Sequence, residues 1–490
     1  MITKAAVMMK KRRSRSNGGG QWMLAAFSAA VFAVGCASAR AAQAPTASPA
    51  PTQATSPARG QDTATSVDRP QYPSTYQRHP NPPVVIKNAT IMTATGQEIQ
   101  GGSILFAGGR IVSVGATVNA PADAVVVDGT GKWVTPGVID THSHLGVYAA
   151  PSTQAESDGN EATNPVTAEV WAEHSVWPQD PQIPLAIAGG VTTIEVLPGS
   201  ANLIGGRSAI LKLVPARSVQ EMKFPGAHYG LKMACGENPK RVYQSRGPST
   251  RMGNMAGYRG AFIQAEQYRR RWDKWNKDHS GDAPQRDLKL ESLAEVLRGN
   301  IFVQNHCYRA DEMVQMLDLA HEFGFKIRSF HHAVEAYKIA DILAREGTAV
   351  SVWADWWGFK EEAMDGIHEN AALVQQAGGR PVIHSDDASG IQRLNQEAAK
   401  AMYYGRRSGI QVTRDQALRW FTANPAWVLG LDSIVGTLEP GKMADVVVWS
   451  ADPLSVYARA MQVYNDGWLV YDRNDPAHQP KTDFSIGRQP

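Results

Sequence analysis

Short runs rich in β-branched residues open and close the apolar part of the chain. Residues 84–92, 103–106 and 110–114 read as strands, and Gly101-Gly102 and Gly108-Gly109 separate them as turns. The far end mirrors this. Residues 444–449 and 462–471 read as strands, the second broken by the turn signal Asn465-Asp466-Gly467. Two sets of strands around a long middle predict one small β-domain made by both ends. The middle alternates instead. Strands are predicted at 138–140, 191–197, 325–330, 348–353 and 381–384. A helix over 311–323 puts Met313, Met316, Leu317 and Ala320 on one face and stops at Gly324. Further helices are predicted over 336–346, ended by Gly347, and over 367–376. Such alternation predicts a parallel sheet covered by helices. No GxGxxG or GxxxxGK[ST] follows a strand, which favours a closed barrel over a nucleotide-binding open sheet. A barrel carries its chemistry at the C-terminal ends of its strands.

With 490 residues, 43% of them apolar and 19% charged, the chain is ample for a large core. The net charge of +3 misleads. Lys4, Lys10, Lys11, Arg12, Arg13 and Arg15 crowd the first 35 residues, which hold no acid. Of 49 basic residues, 43 remain without those six, against 46 acidic ones, a balance of −3. A basic nucleic-acid binder is therefore excluded. The 3 cysteines exclude a disulfide scaffold and a Cys-rich zinc site. Cys235 and Cys307 read as buried free thiols.

The basic residues precede an apolar run, 22–35, shorter than the ~20 residues of a permanent span. Residues 1–36 are expected to be an export signal. Its end, Ala33-Val34-Gly35-Cys36, resembles a bacterial lipobox with alanine where leucine is usual, so Cys36 is the expected lipid anchor of a periplasmic protein. Cleavage at Ala39-Arg40-Ala41, giving a soluble periplasmic form, is the alternative. Residues 37–82, rich in Ala, Pro, Thr, Ser and Gln, lack apolar periodicity and read as a disordered tether. The expected plan continues with a composite β-sandwich over 83–134 and 434–475, a barrel over 135–433 and a tail over 476–490.

The strongest chemical signal is Asp140-Thr141-His142-Ser143-His144. Two histidines at i and i+2 on a strand point to one side, and imidazole is a common ligand for Zn²⁺ and related ions. His306, His332 and Asp386 each fall just past a predicted strand end. His331 neighbours His332, and because strand neighbours face opposite ways it is expected to support the site or pack; His384, two positions before Asp386, could orient the site or pack. Arg251 and Arg309, with Tyr308 beside the second, are candidate substrate-binding residues, because an arginine fork holds a carboxylate bidentately. Trp353, Trp356 and Trp357 could wall an apolar pocket.

The segments PGVIDTHSHLG, GGVTTIEVLPG and TANPAWVLGL…GTLEPGKMADVVVW, in this order, resemble the amidohydrolase superfamily. With GLKMACGENPKR, the chain looks most like its imidazolonepropionase-like, metal-dependent group. The resemblance implies a (β/α)8 TIM barrel with a small β-sandwich from both chain ends. It also implies Zn²⁺ or another divalent metal, two ions per chain, held by His142, His144, His306, His332 and Asp386. An acidic group on strand 4 would bridge them: Glu237, or alternatively a carboxylated Lys232. The implied reaction is hydrolysis of an amide or cyclic-amide C–N bond in a small molecule, with Asp386 as general base. A prolidase-like dipeptidase, a deaminase or a non-catalytic tethered binding protein are the alternatives. A homo-oligomer is compatible with the sequence, and membrane contact is expected only through Cys36.

Overall fold

The computed structural model describes residues 72–481. The export signal, Cys36, most of the tether and the end of the tail lie outside the described residues. Along the chain come β1 (Val84–Met92), β2 (Glu98–Ala107), β3 (Arg110–Gly115), β4 (Val125–Asp128) and β5 (Trp133–Pro136). Nine further strands follow: β6 (Val138–Ser143), β7 (Val191–Val196), β8 (Ile204–Arg207), β9 (Ala209–Lys212), β10 (Tyr229–Ala234), β11 (Ile301–Cys307), β12 (Ile327–His332), β13 (Ala349–Val352) and β14 (Arg380–Ile383). The last are β15 (Val446–Trp449), β16 (Ala460–Asn465) and β17 (Trp468–Asp472).

The two ends share one eight-stranded sheet in the order β17-β16-β15-β5-β1-β2-β3, with β4 on β1. The antiparallel pairing of β15 with β5, Val447 opposite Thr135, joins the N- and C-terminal strands. Ile86, Ile91, Phe106, Val134, Val446 and Tyr464 form its core. The hairpin β16–β17 turns at Asp466 and Gly467, both with positive φ (49° and 75°), as the Asn-Asp-Gly signal predicts.

Between these ends, β10 to β14 run parallel in sequential neighbours, and β6 pairs parallel with β7. Only Ser208 separates β8 from β9; β9 pairs antiparallel with β7, and β8 antiparallel with β10. At the other edge Asp386 N donates to His142 O at 3.0 Å. The strands thus form two sheets, β14-β13-β12-β11-β10-β8 and β6-β7-β9, of mixed α/β character, in which β8 and β9 run against their neighbours β10 and β7.

The helix Ala310–Phe323 buries Met313, Met316, Leu317 and Ala320 and ends on Gly324 at φ 73°, as its periodicity predicts. The stretch from Ala336 splits into a 3-10 turn, Ala336–Ile339, and a helix, Ala340–Glu346. The 28-residue helix Arg251–Asp278 has no counterpart in the sequence reading. Its glycines and scattered charges blur the apolar stripe, and its helical form rests on burying Tyr258, Phe262, Tyr268 and Trp272.

Two sequence expectations are corrected. The tether does not run to residue 82, because the chain lies on the fold from residue 72. Thr75 N donates to Gln220 O at 2.9 Å, Tyr76 Oη donates to Asp466 at 2.6 Å, and His79 stacks on Trp468 at 3.8 Å. Asp466 also meets the buried Lys212 ammonium at 3.2 Å, which Asp445 faces at 3.4 Å. These are single polar and aromatic contacts, which periodicity cannot announce. Cys235 and Cys307 are not free thiols. Ala234 lies opposite His306 in the β10–β11 register, so the next residues stand side by side, 5.2 Å apart at Cα, and form a disulfide.

Candidate metal centre

Five histidines and an aspartate meet where β6, β12 and β14 end. Asp386 Oδ1 stands 3.3 Å from His142 Nε2 and 3.2 Å from His144 Nε2. His144 Nδ1 lies 2.9 Å from the Leu197 carbonyl, which can only accept. Its proton is thereby fixed on Nδ1 and its Nε2 lone pair is left free. His142 is set by a longer chain. Gln304 presents its amide oxygen to His331 Nε2 at 2.8 Å, and His331 Nδ1 meets His142 Nδ1 at 2.9 Å. His331 therefore donates to Gln304 and accepts from His142, which frees His142 Nε2 toward Asp386. His331 thus supports His142 and stands outside the two donor groups, while His332 beside it takes φ 68°.

Two groups of donors lie close enough to share an ion: His142, His144 and Asp386, and His142, His332 and His384, with ligand atoms within 4.8 Å of one another in each. The fit of a cation is supported by orphaned atoms. His306 Nδ1, His332 Nδ1 and both ring nitrogens of His384 are buried without a hydrogen-bond partner. Burial, with Lys232 the next cause for His142, holds the titration of His142, His306 and His332 well below the usual histidine range. The rings are thus neutral, the form a metal requires. Nitrogen donors with one carboxylate suit zinc and similar divalent ions.

Asp386 itself is held in the left-handed region, φ 63°. Asp140 clamps the corner: His142 N and Ser385 N donate to its Oδ1 at 3.0 and 3.3 Å, and Ser385 Oγ donates to its Oδ2. The sequence reading includes Asp140 in the motif without giving it a role, and does not single out Gln304. The signal for Asp140 was its place two residues before His142 on the same strand face; Gln304 carried none.

The strand-4 candidates separate. Lys232 is buried on β10 with Nζ 3.1 Å from His142 Nε2. Glu237 begins the helix Glu237–Tyr243, and its carboxylate pairs with Lys360 at 3.5 Å, outside both donor groups. Three residues past the end of β10, the chain has already turned into this helix. His306 also stands outside the two groups, its ring 4.6 Å from that of His332 and its Nε2 3.5 Å from Asn238.

The arginines expected to hold substrate are already paired. Arg251 bonds Glu312 at 2.9 Å and also Glu362; Arg309 makes a two-pronged bond to Asp311 at 2.9 and 3.0 Å. Neither fork is free for a carboxylate. Tyr308 does reach the site: its ring stacks on His332 at 5.3 Å and carries the Lys360 ammonium 4.1 Å from its centroid. Trp353 packs 4.3 Å from His332, and Trp356, half-exposed, packs on Trp353 at 4.9 Å. Trp357 turns instead to His368 at 4.7 Å.

Comparison with known proteins agrees with this geometry. A family model for the amidohydrolase family matches residues 335–471. The amidohydrolase tasK of Hapsidospora irregularis is 35% identical over 434 residues, 80% of this chain but only 43% of that protein. The chain thus spans less than half the length of that relative. An imidazolonepropionase of Rhizorhabdus wittichii is 24% identical over 75% of this chain and 93% of its own. The crystal structure of an amidohydrolase from Thermotoga maritima MSB8 superposes with a TM-score of 0.74 at 38% identity, over 80% of this chain and 100% of that one. A shared fold at that identity over the whole of a solved relative shows that the chain belongs to the amidohydrolase family, hydrolases of carbon–nitrogen bonds.

Proposed function

We propose that this protein is a divalent-metal-dependent hydrolase that cleaves an amide or cyclic-amide C–N bond in a small molecule. In this reading the ring of strands within 135–433 is a closed barrel of the (β/α)8 class, and the shared sheet of 83–134 and 434–475 is its β-domain. The observation that carries the reading is the convergence of His142, His144, His332 and Asp386 on one space, with unpartnered ring nitrogens among them. Zinc is the ion to test first, two per chain, and Lys232, buried with Nζ 3.1 Å from His142 Nε2, would help to hold them. A divalent ion held there would acidify a water bound to it, so that hydroxide is available near neutral pH. Asp386 accepts the water's proton and returns it to the leaving nitrogen. His144, its tautomer fixed by Leu197, and His142, fixed by His331, hold their lone pairs on the site throughout. Tyr308 and Trp353 wall one side and exclude bulk water.

The test is a panel of cyclic amides, dipeptides and aminopurines offered to the zinc-loaded protein. Turnover of an amide is expected. Ammonia release from the aminopurines alone would make the enzyme a deaminase, and cleavage of dipeptides alone a dipeptidase. A fully metal-loaded protein that turns over nothing would be a binding protein, and the hydrolase reading would fall.

We also propose that the chain is exported and anchored through a lipid on Cys36. The Cys235–Cys307 disulfide supports export, because such bonds persist in oxidising compartments. Cell fractionation should find wild type with the membrane and Cys36→Ser in the soluble periplasm. Identical partition of the two would remove the lipid anchor and leave cleavage near Ala41.

A further inference from the structure

The aromatic side chains around His332 do not stop at the buried site. Tyr308 stacks on the His332 ring at 5.3 Å and Trp353 at 4.3 Å, and both are buried. Two more rings continue outward on the segment that follows β13. Trp356 packs 4.9 Å from Trp353, and Phe359 lies 5.7 Å from Trp353 and 6.5 Å from Tyr308. The two outer rings stand 5.5 Å from each other. Exposure rises along the series, from 8% at Trp353 to 44% at Trp356 and 49% at Phe359. A single exposed apolar residue is ordinary, but adjoining exposed rings that prolong the wall of a buried site form a surface to which a ligand can bind. The polar residues of the segment are already engaged. Glu362 accepts from Glu237 N at 2.9 Å and pairs with Arg251, Lys360 donates to Asn238 at 2.9 Å and faces Glu237 at 3.5 Å, and Asp355 meets Lys400 at 2.8 Å. These bonds fix the span that carries Trp356 and Phe359 and match the charges beside them, so this face offers a ligand aromatic surface rather than charge.

We propose that Trp356 and Phe359, with Trp353 behind them, are a specificity subsite for an uncharged aromatic or large apolar group of the substrate, so that the enzyme prefers amides carrying such a group over small ones. The inference rests on the metal-dependent hydrolase reading above and names the substrate class which that reading leaves open. The occupant is a part of the substrate because the wall is continuous with the site: two ring contacts, 4.3 and 4.9 Å, lead from His332 to Trp356. Aromatic rings favour edge-on or offset contacts at about 4.5–7 Å between centroids. Trp356 meets Trp353 at 61° and Phe359 at 39°, so a substrate ring can join the series in the same manner. Trp357, adjacent in sequence, turns to His368 and takes no part.

Two hydroxamates test the assignment, because the hydroxamate group chelates divalent ions and the pair differs only in what it carries. Acetohydroxamate bears a methyl group, and 3-phenylpropanohydroxamate bears a phenyl ring on a two-carbon arm. Calorimetry gives both affinities for the zinc-loaded full chain as wild type, Trp356→Ala, Phe359→Ala, the double variant and Trp356→Phe. An aromatic contact is worth roughly two- to tenfold in affinity. Wild type should favour the phenyl probe. That preference should fall by roughly two- to tenfold in each alanine variant, and further in the double variant. Trp356→Phe, which keeps a ring, should retain most of it. The ratio of the two affinities is the readout, so a variant that loses metal or stability and weakens both probes alike does not imitate the expected result. A wild-type ratio near one would assign the rings to another occupant, such as a partner protein, and overturn the inference. A preference unchanged in the double variant would overturn it equally, and in both cases the hydrolase reading stands. Binding of neither probe to wild type would overturn the metal-dependent reading as well.

Discussion

Asp386→Asn should keep its metal and lose turnover by ~10²–10⁴-fold, a barrier increase of roughly 3–5 kcal/mol. The substitution leaves the shape of the site unchanged. One amide oxygen can still face His142 and His144 Nε2, which lie 3.3 and 3.2 Å from the present carboxylate oxygen. The backbone is spared too, since asparagine tolerates the left-handed φ of 63° found here better than most residues. What the amide cannot do is take a proton from water. Metal analysis beside steady-state kinetics decides the matter: near-normal turnover at full metal content would remove Asp386 from its catalytic role.

Lys232→Met should release metal, and Glu237→Gln should not. Burial pulls the Lys232 ammonium down to about 8, so a share of it is neutral amine at neutral pH. A neutral amine can add CO₂: a nitrogen–carbon bond forms, one proton leaves to solvent, and the neutral amine becomes a carbamate anion. That anion would stand beside His142, where Nζ now lies at 3.1 Å, and would offset the repulsion between two divalent ions. Methionine keeps the length and removes the charge, so the second ion should leave. Added bicarbonate should then raise the activity of CO₂-depleted wild type and leave Lys232→Met unchanged. Glu237→Gln loses only a partly exposed contact with Lys360 at 3.5 Å. The reverse pattern of metal loss would return the bridge to Glu237. Full occupancy in both variants would leave a site without a bridging residue on β10.

The Lys232 and Glu237 outcome shows where sequence reading stops. Both residues sit in one motif, five positions apart, and both are chemically able to bridge. Only the end of β10 at Ala234 and the turn into the Glu237 helix set Lys232 beside His142 and Glu237 beside Lys360. The same holds for Arg251 and Arg309. A free fork and a paired one read alike in sequence, and the partners Glu312 and Glu362 reach Arg251 only through tertiary packing.

The sequence by itself determined the alternation of strands and helices, the sharing of a β-domain by both chain ends, and the His142–His144 pair with Asp386. These follow from local periodicity, from turn residues and from the rule that alternate strand positions share a face, all of which act over a few residues. Tertiary structure alone decided the antiparallel β8 and β9, the Cys235–Cys307 bond, the docking of residues 72–82 and the bonding of His331 between His142 and Gln304. It also decided the two empty nitrogens of His384. Each of these depends on which strand lies next to which and in what register, or on a backbone angle imposed from outside the segment. Such contacts are made between residues tens to hundreds of positions apart, where no local pattern records them.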